Sequence, residues 1–389
     1  MDWLFDRNAM RVPTRLLFGL CLCCLATGDR LTGEEPQQWP LFRGDTAGTG
    51  VAQNPLPERL EPLWNFRAVD SFFAATAVIS NGMVYIGNAD NKFYAIDLET
   101  GEERWSHPVE LGFLGSAGVR EGRVVVGDSD GVIRCMDAKS GTLLWEQKTD
   151  AEINSSPNFY KRSVLIGSQN GTLYRLNLED GKILWEYTIE ASGGIQCAPT
   201  LEGKHTFICG CDGKLHVIDV ETGLPTETID VGDPTLSTPA VYENDVYFGT
   251  EGAKLFGVDW RQKKIIWTYQ NPHRKISYRS SPAVTAEAVV IGGRNQLVER
   301  IERRNGSQSW SFRTKGRVDC SPVIAGQRVY VGSSDGRLYG LDLESGDLIW
   351  SFDAGSGFTA SPAVAEGRLV IGDGDGILYC FGEETEKGS

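Results

Sequence analysis

Methionine and histidine are scarce, at 4 residues each of 389, and a basic surplus is missing altogether: 38 Lys and Arg face 52 Asp and Glu. The net charge of -14 removes the broad basic footprint that nucleic-acid binding requires. No long apolar run is present either. The stretch from Leu16 to Ala26 has eleven residues, where a membrane-spanning helix takes about 20. The H-E-x-x-H signature of metalloproteases, the P-loop of nucleotide-binding proteins and the C-x-x-C-H of haem attachment are absent. What abounds is glycine (46), with 10 Trp and 12 Tyr, a mix that favours turns and aromatic-bearing strands over helices.

Arg11 and Arg15 precede the Leu16–Ala26 block, and small and polar residues follow it at Ala26-Thr27-Gly28. That order predicts a secretory signal peptide over residues 1–28, with Met10 a more usual start than Met1. The mature chain is then exported, to the periplasm or cell envelope, with no transmembrane span. Cys21, Cys23 and Cys24 fall in this leader, but Leu20, Leu22 and Cys23 precede them where a lipobox needs Gly, Ala or Ser. A lipid anchor stays open with little support. Cys135, Cys197, Cys209, Cys211, Cys320 and Cys380 remain, in no zinc spacing. Cys197 and Cys209 or Cys211 fall on opposite arms of one expected hairpin, so a disulfide there is weighed against buried free thiols.

The strongest signal is internal repetition. Trp recurs at 64, 105, 145, 185, 267, 310 and 350, and Glu227 stands at the matching position in the one gap, giving steps of 40 to 43 residues. Each copy carries three apolar runs before its Trp run. The first follows a small residue, often before Pro, as in Ser281-Pro282-Ala283-Val284; the second ends in Gly, as in Val329-Tyr330-Val331-Gly332. Turns such as Asn170-Gly171 and Asp335-Gly336 lead into the third, and these dipeptides accept positive φ at low cost. Four strands per forty residues define a propeller blade. Trp64 precedes every triplet, whereas the last triplet, ending near Phe381, has no Trp strand after it. The sequence therefore predicts an all-β, eight-bladed propeller of four-stranded antiparallel blades over residues 60–382. The N-terminal strand closes the last blade, with a lead-in at 29–59 and a tail at 383–389.

At Ala95, Asp97, Thr100, Gly101 and Trp105 the chain resembles the PQQ-like β-propeller repeat family. Cys135, Asp137, Ser140, Gly141 and Trp145 repeat the pattern, as do Gly340, Asp342, Ser345, Gly346 and Trp350. The lead-in Trp39-Pro40-Leu41-Phe42-Arg43-Gly44 is similar to that of secreted bacterial members. The resemblance implies that the seven Trp dock on the neighbouring repeat's motif. Arg175 and Arg300 replace the motif's small first residue, Glu227 replaces a Trp, and Gln262-Lys263 replaces Thr-Gly, so docking is expected to weaken around blades 4 to 6.

The family includes quinoprotein alcohol dehydrogenases, which hold PQQ and calcium over an adjacent-cysteine disulfide. Here the only adjacent cysteines, Cys23-Cys24, lie in the leader. The resemblance accordingly implies a non-enzymatic envelope scaffold of the kind that serves outer-membrane barrel assembly, a monomeric propeller without cofactor. A PQQ-dependent dehydrogenase and a sugar- or ligand-binding propeller are the alternatives. Asp128, Asp130, Asp373 and Asp375 form acidic clusters that read as hairpin tips rather than calcium ligands. From Arg261 to Arg317, thirteen basic residues face Glu287, Glu299 and Glu302. Arg274, Lys275, Tyr278, Arg279 and Arg294 are the expected surface for an envelope protein or an anionic envelope surface.

Overall fold

The computed structural model describes residues 38–189 and 194–384; the expected signal peptide, its three cysteines and most of the tail lie outside them. Among the described residues thirty-two strands form eight four-stranded antiparallel sheets, seven of them taken in chain order from inside to outside. Blade 1, for example, comprises Val78–Ser80, Met83–Gly87, Lys92–Asp97 and Glu103–Pro108. Burial follows this order. The middle strands are almost wholly buried because a sheet lies against each face, while outer strands such as Ile183–Thr188 alternate between exposed and half-buried residues. Blade 8 takes its fourth strand, Glu61–Arg67, from the other end of the chain, with Trp64 opposite Cys380. The ring is thereby closed, as the odd placement of Trp64 predicts.

Two circular features hold the blades at the axis. The small residue before each innermost strand forms a hydroxyl ring. The backbone N–H of Thr76 donates to Ser116 Oγ (3.0 Å), that of Ser116 to Ser156 Oγ (2.9 Å), and so on round to Ser361, whose N–H donates to Thr76 Oγ1 at 2.9 Å. Ala198 interrupts it: with no hydroxyl it offers Ser156 nothing, though its own N–H continues the ring to Thr238.

Below this ring lies the lead-in, which visits the innermost strands in blade order. Trp39 exchanges hydrogen bonds with Ile79, and Pro40 accepts from Val119 N. Thr46 accepts from Asn158 Nδ2 and Leu201 N, Ala47 from Val241 N, Thr49 from Val284 N and Gly50 from Ile324 N. One short segment thus makes an internal hoop touching blades 1 to 7. The inner edges of blades 1, 2 and 4 to 7 would otherwise present unpaired N–H groups, and the hoop supplies their acceptors; in blade 3 the Phe159 N–H donates to Asn158 Oδ1 instead.

Candidate functional site

Each indole does the same work at its junction. Trp105 Nε1 donates to Ala138 O at 3.0 Å, Trp145 to Leu178 O at 3.0 Å, and Trp310 to Leu343 O at 3.0 Å. Trp64, Trp185 and Trp267 do likewise to Leu98, Val220 and Arg303. Trp350 reaches Leu60 O at 3.1 Å, so the N-terminal segment supplies blade 8's acceptor as well as its strand. The ring faces lie on the motif glycines. A Cβ on Gly101, Gly141, Gly181, Gly223, Gly306 or Gly346 would sit 2.5–2.8 Å from an indole carbon, and all six have positive φ. Glycine is needed there for contact and for backbone alike.

The junction between blades 4 and 5 is built differently, and the expected weakness is met by exchange. Glu227, in the Trp position opposite Val217, pairs with Lys263, which holds the Gly position at φ 56° (Nζ to Oε2 2.8 Å). The two irregular residues are partners. The missing aromatic is delivered from the other side: Trp260, in blade 5, lies edge-on to Phe207 at 5.2 Å. In regular junctions Tyr85, Tyr247 and Tyr330 hold Phe207's place and meet their own blade's Trp. Arg175 is absorbed too, its Nη1 donating to Val220 O at 2.7 Å, the carbonyl that also receives Trp185. Arg300 pairs with Glu302 and Glu344.

The expected partner surface needs correction. Tyr278 is buried, and its hydroxyl donates to Glu299 Oε2 at 2.7 Å. Glu299, wholly buried, also accepts from Tyr269 Oη (2.7 Å), Asn271 Nδ2 (2.8 Å) and Asn295 Nδ2 (3.2 Å). These neutral donors hold a buried carboxylate, and burial beside it pushes both tyrosine hydroxyls upward. Tyr278 is thus a loop anchor, not a contact residue. Arg279 is clamped by Glu251 and Arg294 by Asp319, each through two nitrogens, and Arg274 Nη1 donates to Asn295 O at 2.7 Å. Much of the local positive charge is therefore satisfied internally. Lys275 remains exposed, with Lys264, Arg304, Arg313 and Lys315. Sequence reading missed the partners because each lies more than twenty residues away along the chain.

Cys197 and Cys209 form no disulfide; all six described cysteines are free. The Cys197 thiol donates to Cys209 O at 3.0 Å, repeating what the Ser280 hydroxyl does at Gly292 O. Asp128 and Asp373 are buried turn caps, each Oδ1 accepting two backbone N–H groups. Two stretches fit G-x-S-x-G, Gly127–Gly131 and Gly332–Gly336, but both form hairpin turns and neither is a strand-to-helix elbow. His216, buried, stands between Tyr187 Oη (3.0 Å from Nδ1) and Asp212 (2.8 Å from Nε2); burial lowers its pKa, against the pull of Asp212.

On the axis, above the hydroxyl ring, a funnel of about 140 Å³ is floored by Phe42 of the hoop. One variable residue per blade rims it, including Leu114, Asn154, Gln196, Arg279 and Asp319. The volume is below the 300–1,000 Å³ of ordinary small-molecule sites, and Asp319, the one acid in the lining, is engaged by Arg294 and Arg317. Among the described residues no His, Cys, Asp or Glu cluster suits a metal ion.

Eight radial sheets, six of whose junctions are locked by an indole on a glycine, define a PQQ-like β-propeller. The family model described as outer membrane protein assembly factor BamB matches residues 59–196, 190–311 and 294–387, and the chain belongs to that family. Among solved structures, BamB from Moraxella catarrhalis is similar, with TM-score 0.72 and 19% identity over 84% of this chain and all of that one. A europium-containing methanol dehydrogenase gives TM-score 0.77 and 13% identity over 90% of this chain and 99% of that one. Quinohemoprotein alcohol dehydrogenase from Comamonas testosteroni gives 0.74 and 14%, over 91% and 82%. At these identities the likenesses establish the fold. No curated protein sequence matches the chain. No helix among the described residues is long and apolar enough to cross a membrane, which says nothing about β-barrels.

Proposed function

We propose that this chain is an exported, non-enzymatic scaffold of the cell envelope that carries a protein partner on its loops, in the manner of an outer-membrane assembly factor. The observation that supports it best is the filled axis. The chain's own hoop takes the space below the hydroxyl ring, and the shallow funnel above does not suit the cofactor that would make the fold an oxidoreductase. A closed ring with rigid blades then serves to preorganise loops, which lowers the entropic cost of docking. Partner capture draws on the exposed Lys275, which the internally paired Arg274, Arg279 and Arg294 beside it help to present to an acidic surface. Crosslinking in envelope fractions should trap a discrete partner, and Lys275→Glu should reduce capture about tenfold. Undiminished capture removes this sector; alcohol oxidation to an electron-accepting dye after adding PQQ and calcium would overturn the scaffold reading itself.

A further inference from the structure

Arg43 presents a buried charge with no direct ion pair among the described residues, and the Asp45 carboxylate favours it only through space. It is 2% exposed, inside the hoop. Its Nη2 donates to Pro322 O at 2.6 Å and Pro282 O at 3.3 Å, while Nε and Nη1 meet no protein acceptor. Its acidic neighbour in sequence, Asp45, is exposed and spends its carboxylate on Thr49, accepting from that residue's N–H (3.0 Å) and hydroxyl. The Phe42 ring lies 5.8 Å away and offers only a weak cation–π contact. Burial lowers the guanidinium to about 10, which leaves it charged at neutral pH.

The placement is enforced from both sides. Gly50 N donates to Arg43 O at 3.0 Å, and a Cβ on Gly50 would lie 2.7 Å from the guanidinium carbon. Beside the hoop is a small cleft of about 10 Å³, about the least space that takes one water-sized occupant, which Phe42, Arg43, Asp45, Asn158, Thr200 and Thr238 help to line. Thr200 Oγ1, also buried, has no protein partner. A neutral occupant could take the orphan N–H groups but would leave a lone cation in a low-dielectric interior, which is costly unless an anion accompanies it.

We propose that Arg43 holds a monatomic anion, a halide, at its Nε and Nη1 groups on the propeller axis. The ion completes the lead-in hoop, so stability responds to halide identity and saturates, unlike general salt screening. This inference goes beyond the scaffold reading and stands whatever partner the loops carry.

Crystals of the full mature chain grown with sodium bromide in place of chloride should show an anomalous peak within hydrogen-bond reach of Arg43 Nε or Nη1. In solution, replacing sodium gluconate with sodium chloride at equal ionic strength should raise Tm by about 2–5 °C and level off. Arg43→Met should lose that response, and Asp45→Asn should keep it. A water without anomalous signal at Arg43, or an equal chloride response in Arg43→Met, overturns the proposal. Should Arg43→Met fail to fold, the bromide map of the unaltered protein decides alone.

Discussion

Six junctions of the ring are closed by an indole lying on a glycine and a seventh by Trp350 donating to Leu60 O, whereas the junction of blades 4 and 5 is closed by a Glu–Lys pair and an indole entering from the opposite blade. The regular junctions each need one large residue facing one absent side chain. The irregular one distributes that work over Glu227, Lys263, Trp260 and Phe207. The interface therefore requires filled volume and a satisfied polar edge, and it accepts more than one route to both. A second exchange sits in the same blade. Elsewhere the second strand ends in Gly, under a large residue such as Phe113, Ile153 or Phe358; here it ends in Cys209 and the facing position shrinks to Thr235.

The comparison breaks most directly by truncation. Trp145→Ala or Trp267→Ala, the two most buried of the seven indoles, should cost about 3–5 kcal/mol, read as a fall in the urea midpoint. Glu227→Ala should cost under about 1 kcal/mol because its pair is half-exposed. Equal losses at both kinds of junction would mean that the indoles are not the dominant fasteners. Making the irregular junction regular in one step should fail. Glu227→Trp alone overpacks against Trp260 and should lose about 1–3 kcal/mol, recovered when Trp260→Leu and Lys263→Gly are added. Additive losses in that set would refute the exchange. Ala198→Ser should complete the hydroxyl ring and gain about 0.5–1 kcal/mol in denaturant titration. The smallest effect concerns pH. Burial lowers the His216 pKa below its ordinary 6.5, so the folded protein resists a proton that the unfolded chain accepts. Its contribution is present above that value and lost as pH falls below it toward the depressed folded pKa. Stability measured from pH 7.5 to 5 should decline on this account, and less in His216→Gln; an unchanged slope would place the effect in other groups.

Most of the fold was legible because the repeat is written in residues that carry geometry. Asn-Gly and Asp-Gly fix the hairpins, Trp fixes the outer strand, and the unpaired Trp64 fixes the closure. The site was less so. Glu227 and Gln262-Lys263 read as separate losses, since nothing in the linear order says that one faces the other across a blade boundary. Tyr278 and Arg279 sit only three to five residues from Arg274 and Lys275, yet Glu299 turns one inward and Glu251 clamps the other. Both partners lie over twenty residues away. The hoop was hidden because a lead-in without periodic strands gives no register; only its acceptors, matched to seven inner strands, show its path.

The hoop also constrains the order of assembly. A segment enclosed by blades 1 to 7, which then leaves to become the edge of blade 8, is threaded through the finished object rather than laid upon it. The amino-terminal residues, first to be made, must wait for the last ones before either is secure, and the molecule cannot later release them without parting two neighbouring sheets. Such a body should unravel slowly and all at once.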